Sequence, residues 1–250
     1  MSSSSGRPKM GDAPLGGAAC SAGEPTMVPS LDRPKMGDTP QGTDVHATTV
    51  LMLVFDDMEL LDFAGPYEVF TTAARVHARQ AAAGAPPLFT VRTASRDGRA
   101  VRARAGVVIQ PDHALRDAPA TPWLLVPGGV VDAVLGDPAM LAWVAERASS
   151  AALTASVCTG AFVLAAAGVL HDCEATTHWE DVAELARLHP DLTLRPDARW
   201  IDHGAVVTSA GIAAGIDMSL HLVARHAGRE LAAATARQMD YPWIDRSCSR

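Results

Sequence analysis

Between Ala151 and Leu164 the chain changes character at a single residue. A short apolar, β-leaning run ends at Cys158, and the small, helix-compatible residues Thr159, Gly160 and Ala161 follow at once. A strand that becomes a helix at one position demands tight backbone geometry there and lifts that side chain out of the sheet edge. The free N–H groups and positive dipole end of the following helix then face the thiol, which lowers a thiol pKa. This is the layout of a nucleophile elbow carrying sulfur in place of a serine hydroxyl. The competing reading is a buried structural cysteine, since free Cys is among the most buried residue types.

The rest of the chain repeats the strand-then-helix order. Residues 48–55 form an unbroken apolar run of strand length, as a parallel strand buried on both faces requires. A helix is expected from Leu61 past Val76, and a second strand over residues 88–93. Asp97-Gly98 turns into alternating residues as far as Ile109, which reads as a hairpin appended to the sheet. Residues 123–126 form another buried strand, stopping at Pro127-Gly128-Gly129, and Pro138 opens a helix reaching Ala148. The helix after Cys158 should stop near Gly168. Residues 175–178 read as a short strand, residues 179–188 as a helix, and residues 200–208 as a second hairpin through His203-Gly204. A long helix over residues 213–227 and a shorter one close the domain. The fold class expected is α/β: a three-layer α/β/α sandwich with a mostly parallel sheet, flavodoxin-like. In such sheets ligands sit at the carboxyl ends of the strands, where Cys158, Gly128-Gly129 and the residues after Phe55 all fall.

The first part of the 250-residue chain is different. Residues 1–46 are rich in Ser, Gly and Pro, and the segment from Arg7 to Asp12 recurs from Arg33 to Asp38. Without an apolar period this stretch is expected to be a disordered tail, or translated upstream sequence with Met36 or another internal Met as the start. Residues 47–243 are expected to form the domain and residues 244–250 a short tail. Ala18-Ala19-Cys20 faintly resembles a lipoprotein cleavage site but lacks the apolar stretch before it that a signal peptide needs. No apolar run approaches the ~20 residues of a membrane span. A net charge of −7 and the lack of a Lys/Arg cluster argue against a nucleic-acid surface. Cys20, Cys158, Cys173 and Cys248 show neither metal-ligand spacing nor a disulfide framework, so a reducing cytoplasm is the simplest expectation.

Candidate site residues follow from the sheet edge. Asp62, at the start of the first helix, can meet the Cys158 sulfur as a base or, once protonated, as a donor; the alternative is an acid that only complements the helix dipole. Gly128 and Gly129, with the N–H of Thr159, can form an oxyanion-type hole, or merely a tight turn. The Thr159 hydroxyl can orient a water or a substrate atom, and its presence rules out a Cys-His dyad from adjacent residues. His178 can line the pocket beside the sulfur, although a lone His is more often part of the core. Glu68 reads as part of a solvated face, and His171, Cys173, His189 and His203 carry no signal.

Five ordered segments, residues 61–70, 126–129, 156–161, 175–179 and 208–217, together resemble the ThiJ/PfpI superfamily with its class I glutamine amidotransferase-like fold. Within it, Cys158, Thr159 and Asp62 are similar to the trio of isonitrile hydratase. That resemblance implies a lyase: the Cys158 thiolate attacks the isonitrile carbon, Asp62 manages the proton, Thr159 helps place water, and a thioimidate yields an N-substituted formamide. It implies no metal, nucleotide or redox cofactor, a small-molecule substrate and a homodimer. Residues 161–168 and 221–223 look closer to the amidotransferase-like domain of AraC-type regulators, which continue into helix-turn-helix motifs. The end of the chain at Arg250 leads to the expectation that no such domain follows. A non-catalytic small-molecule or redox sensor, or another Cys-dependent hydrolase or lyase, is therefore the alternative. The protease-like branch carries His after the Cys, and glyoxalase-like members usually carry Glu in place of Asp62; neither pattern is present here.

Overall fold

The computed structural model describes residues 46–245 apart from Ala83 and Asp172, so the proposed N-terminal tail and most of the C-terminal tail lie outside the described residues. The first apolar run becomes β1 (Thr48–Leu53), with every residue but Thr49 buried. It is followed by α1 (Leu60–Ala78) and β2 (Phe89–Ser95). A short hairpin, β3 (Val101–Arg102) and β4 (Val108–Ile109), precedes β5 (His113–Ala114) and β6 (Trp123–Val126). After α2 (Asp132–Leu135), α3 (Pro138–Ser150) starts where Pro138 takes the first turn. There Asp137 Oδ1 accepts the N–H groups of Ala139 and Met140 at 3.0 and 3.1 Å, which fixes the helix start.

Strand β7 (Leu153–Val157) leads through Cys158 into α4 (Gly160–Ala166). Then come β8 (Glu174–Ala175), α5 (Val182–Leu188), β9 (Thr193–Leu194), β10 (Trp200–Asp202) and β11 (Val206–Ser209). Helices α6 (Ala214–Ala227) and α7 (Arg229–Gln238) complete the described fold.

Seven strands form one sheet in the order β10-β11-β7-β6-β1-β2-β5. Every neighbouring pair is parallel except the antiparallel β10–β11 hairpin. Helices α1, α6 and α7 pack together on one face, and α2, α3 and α4 on the other. This is the mostly parallel α/β/α sandwich expected. From β1 the chain runs through α1 to β2, and from β6 through α2 and α3 to β7 on the opposite side. Strand order therefore reverses between β1 and β6, which opens a crevice beyond their carboxyl ends.

Two elements differ from the sequence expectation. The residues from Asp97 to Ile109 do not extend the main sheet: β3 and β4 pair only with each other. The hairpin instead folds over the β1–α1 loop, where Asp57 N–H donates to Arg102 O at 2.8 Å. The strand expected at residues 175–178 is only Glu174–Ala175, paired with β9. Thr176 and Thr177 leave it because Thr208 Oγ1 and the Cys158 carbonyl capture their donors, and α5 then starts at Val182 rather than Trp179.

Candidate active site

Cys158 occupies the left-handed region at φ +56°, between the last residue of β7 and the first turn of α4. For an L-residue this conformation costs about 1–2 kcal/mol. The surroundings hold it: Cys158 N–H is shared by the Ser209 and Ala210 carbonyls at 3.2 and 3.3 Å. The Cys158 carbonyl accepts Ala161 N–H at 3.2 Å and Thr177 Oγ1 at 2.8 Å. The residue is buried, with only 7% of its surface exposed.

Asp62 lies in the first turn of α1 and is fully buried. Gly128 N–H donates to its Oδ2 at 3.1 Å. Only glycine permits this approach, because a Cβ at Gly128 would lie 2.6 Å from Thr159 N and 2.8 Å from Asp62 Oδ2. Burial pushes the Asp62 carboxyl up to about 7, against the opposing pull of the Cys158 side chain and the Gly128 N–H. Burial, followed by the Asp62 charge, pushes the Cys158 thiol up to about 12, with the Thr159 N–H acting in the other direction. The depressed thiol expected from the elbow is thus reversed. One N–H at the start of a seven-residue helix does not outweigh desolvation beside a carboxylate.

The oxyanion-type hole also needs correction. Gly128 N–H is committed to Asp62, and Gly129 N–H donates to Thr159 Oγ1 at 2.8 Å. The same hydroxyl donates back to Gly129 O at 2.8 Å. It braces the loop after β6 instead of being free to orient water. Of the three backbone donors expected there, the Thr159 N–H is the one directed at the sulfur.

A cavity of about 220 Å³ opens over the thiol and brings together Cys158, Thr159, Gly129 and His178. Asp62 and Gly128 stand behind it, so Asp62 reaches the cavity through the sulfur. His178 Nδ1 lies 3.4 Å from Asp181 Oδ2 and 3.7 Å from Glu180 Oε2. Gly211 is pressed against its ring, where a Cβ would lie 2.0 Å from Cδ2. Residues that the sequence reading did not single out complete the wall: Glu59, Arg104, Glu180, Asp181 and Ile212. Ile212 has φ +51°, an outlier for a β-branched residue, and the Gly211-Ile212 pair was the one local signal available for it. Glu68 lies on an outer face of α1, paired with Thr72 at 2.7 Å and Arg75 at 2.8 Å. Among the described residues no group of three or more His, Cys, Asp or Glu side chains is arranged to hold a metal ion, and no helix is long and apolar enough to cross a membrane.

Comparison with known proteins places this site in context. The DJ-1/PfpI family model matches residues 48–225. The isonitrile hydratase of Pseudomonas putida is 31% identical over 197 residues, covering 78% of this chain and 79% of that protein. The HTH-type transcriptional regulator GbdR of Pseudomonas aeruginosa is 32% identical over 192 residues, which is 77% of this chain but 50% of the regulator. The chain thus spans about half the length of that curated relative. A crystal structure of a ThiJ/PfpI family protein from Pseudomonas syringae superposes with a TM-score of 0.68 at 27% identity, covering 80% of this chain and 77% of that one. With relatives named as transcriptional regulators, the expectation that nucleic acid is not a partner has no support.

Proposed function

Since the chain belongs to the DJ-1/PfpI family, we propose that it is a cysteine-dependent lyase that adds water to an isonitrile to give an N-substituted formamide. The observation that carries this reading is the buried pair of Asp62 and Cys158, with the carboxyl held behind the sulfur by Gly128 N–H and the sulfur in the cavity wall. An isonitrile carbon accepts a proton and a nucleophile at the same atom. A neutral thiol beside a carboxylate supplies both without drawing charge from solvent.

The Cys158 sulfur bonds to the isonitrile carbon while its proton passes through Asp62 to that carbon, giving a thioimidate, R–N=CH–S. Water then adds to the same carbon, with Asp62 accepting one of its protons and the nitrogen gaining one. The tetrahedral adduct breaks its C–S bond, sulfur recovers the proton from Asp62, and R–NH–CHO leaves. Thr159 contributes its N–H to the sulfur and holds the Gly129 loop through its hydroxyl.

The second reading is a ligand-binding or redox-sensing domain, favoured by the regulators that share this domain over half their length. Turnover of cyclohexyl isocyanide decides between them. Formamide production by the wild type, lost in Cys158→Ala and reduced at least a hundredfold in Asp62→Asn, is expected. No formamide from the wild type with cyclohexyl isocyanide, and none with a small carboxylate-bearing isonitrile, would overturn the lyase reading and leave the sensor.

A further inference from the structure

The β3–β4 hairpin reaches the cavity from outside the main sheet and brings a cation with it. Its backbone is fastened at each step: Arg102 N–H donates to Asp56 Oδ1 at 2.7 Å, Arg104 N–H to Met58 O at 3.0 Å, and Ala103 N–H to Val107 O at 2.8 Å. The Arg102 guanidinium closes the turn on Gly106 O at 3.0 Å, and Ala103 is buried beneath it. These bonds place Arg104 in the wall of the cavity that contains Cys158.

Unlike Arg75, Arg96, Arg195 and Arg199, which pair with carboxylates, Arg104 makes no side-chain hydrogen bond or ion pair among the described residues. Of the three acids in the same wall, Glu180 and Asp181 are turned to His178 Nδ1, and Glu59 makes no side-chain hydrogen bond or ion pair with Arg104 among the described residues. A guanidinium held by a fixed backbone, with its five donors unused, is a ready fork for a planar oxyanion. At about 220 Å³ the cavity is smaller than the sites of drug-sized ligands, so the group it meets belongs to a small molecule.

We propose that Arg104 anchors a carboxylate on the substrate, so that the Cys158 site takes small carboxylate-bearing electrophiles; the choice of an isonitrile among these rests on the lyase reading above. Anchoring the carboxylate at the hairpin leaves the other end of the molecule at the sulfur, and the specificity residue sits on an element separate from the elbow.

Alkylation of Cys158 tests this without any isonitrile. Iodoacetate and iodoacetamide share their reach and leaving group and differ in the carboxylate. Each forms a bond from sulfur to its CH₂ carbon, transferring a carboxymethyl or carbamoylmethyl group, while iodide leaves and the thiol proton passes through Asp62 to solvent. The rates at Cys158 are read by mass spectrometry of the peptide carrying it, in the wild type, Arg104→Gln and Arg104→Lys. In Arg104→Gln the iodoacetate-to-iodoacetamide ratio is expected to fall about tenfold, the size of one charge-assisted hydrogen bond, with the iodoacetamide rate unchanged. Arg104→Lys should recover part of the ratio. A ratio within twofold of wild type in Arg104→Gln would overturn the assignment. A parallel comparison of isocyanoacetate with n-propyl isocyanide separates the two claims. If neither is hydrated while the alkylation ratio shifts, the lyase reading fails and the carboxylate anchor stands. If both are hydrated and Arg104→Gln leaves KM for isocyanoacetate unchanged, the anchor fails and the lyase stands.

Discussion

Thr177 Oγ1 donates a 2.8 Å hydrogen bond to the carbonyl of Cys158, so the strained residue of the elbow is pinned by a side chain nineteen positions further along the chain. Both partners are buried, and the bond explains why the segment after β8 abandons its strand. Thr177→Val keeps the shape and removes the donor. A loss of about 1–3 kcal/mol in urea denaturation is expected, with Thr177→Ser close to wild type. A Val variant as stable as wild type would show that the elbow does not need this pin.

Asp62 makes stability depend on pH. Its carboxyl lies near 7 in the fold against 3.8 as its ordinary value, so the folded state favours the protonated form. Its contribution is therefore fully present below about 4 and is lost as pH rises through about 7. Asp62→Asn, which still accepts from Gly128 N–H, should stabilise the protein at pH 8 by on the order of 1–4 kcal/mol and much less at pH 4. Thermal melts at the two values check this. An equal effect at both would mean that Asp62 is ionised across the range.

The same group sets a limb in the rate profile if it acts as the base for the Cys158 thiol. kcat/KM for the isonitrile is expected to rise with pH up to about 7 and then level, because the thiol holds its proton to about 12. In Asp62→Asn the residual rate should lose that limb. A wild-type profile flat from pH 5 to pH 9 would remove Asp62 from the proton path.

Backbone strain at Cys158 predicts an inverted order of variants. Cys158→Ala keeps a Cβ at φ +56°, whereas Cys158→Gly relaxes it. The Gly variant should match or exceed the Ala variant by about 1 kcal/mol despite the deeper truncation. Chemical denaturation of the pair is the measurement, and a Gly variant clearly weaker than Ala would mean that the surroundings impose no strain.

Asp217 in α6 is fully buried and accepts from the Arg199 guanidinium, from Tyr241 Oη at 2.9 Å and from Ile244 N–H at 2.8 Å. Asp217→Asn leaves a largely buried guanidinium without its counter-charge, which should cost about 3–5 kcal/mol. It should also expose the segment after α7 to limited proteolysis. Wild-type stability and cleavage in the variant would mean that the segment is held by packing alone.

Where a signal was local, the chain alone carried it. The apolar runs of β1 and β6 could be read as doubly buried parallel strands because both faces of such a strand meet helices. The abrupt change at Cys158 marked the elbow, since a strand that gives way to a helix within two residues demands a tight turn at that point. Thr177, Arg104 and Ile212 gave no comparable signal, because each matters through a partner distant in sequence: the elbow carbonyl, the cavity and the Asp62 carboxyl.

The amino-acid sequence by itself determined the order and type of the main elements and the sheet edge on which Cys158, Asp62 and Gly128-Gly129 would lie, because hydrophobic period and turn chemistry are properties of neighbouring residues. Tertiary structure alone decided the state of that edge. It committed the N–H groups of Gly128 and Gly129 to Asp62 and Thr159, brought Arg104 into the wall of the cavity that holds Cys158, and raised the thiol's proton affinity where helix polarity alone would have lowered it. Those outcomes depend on distance and desolvation between segments, which no local stretch of the chain encodes.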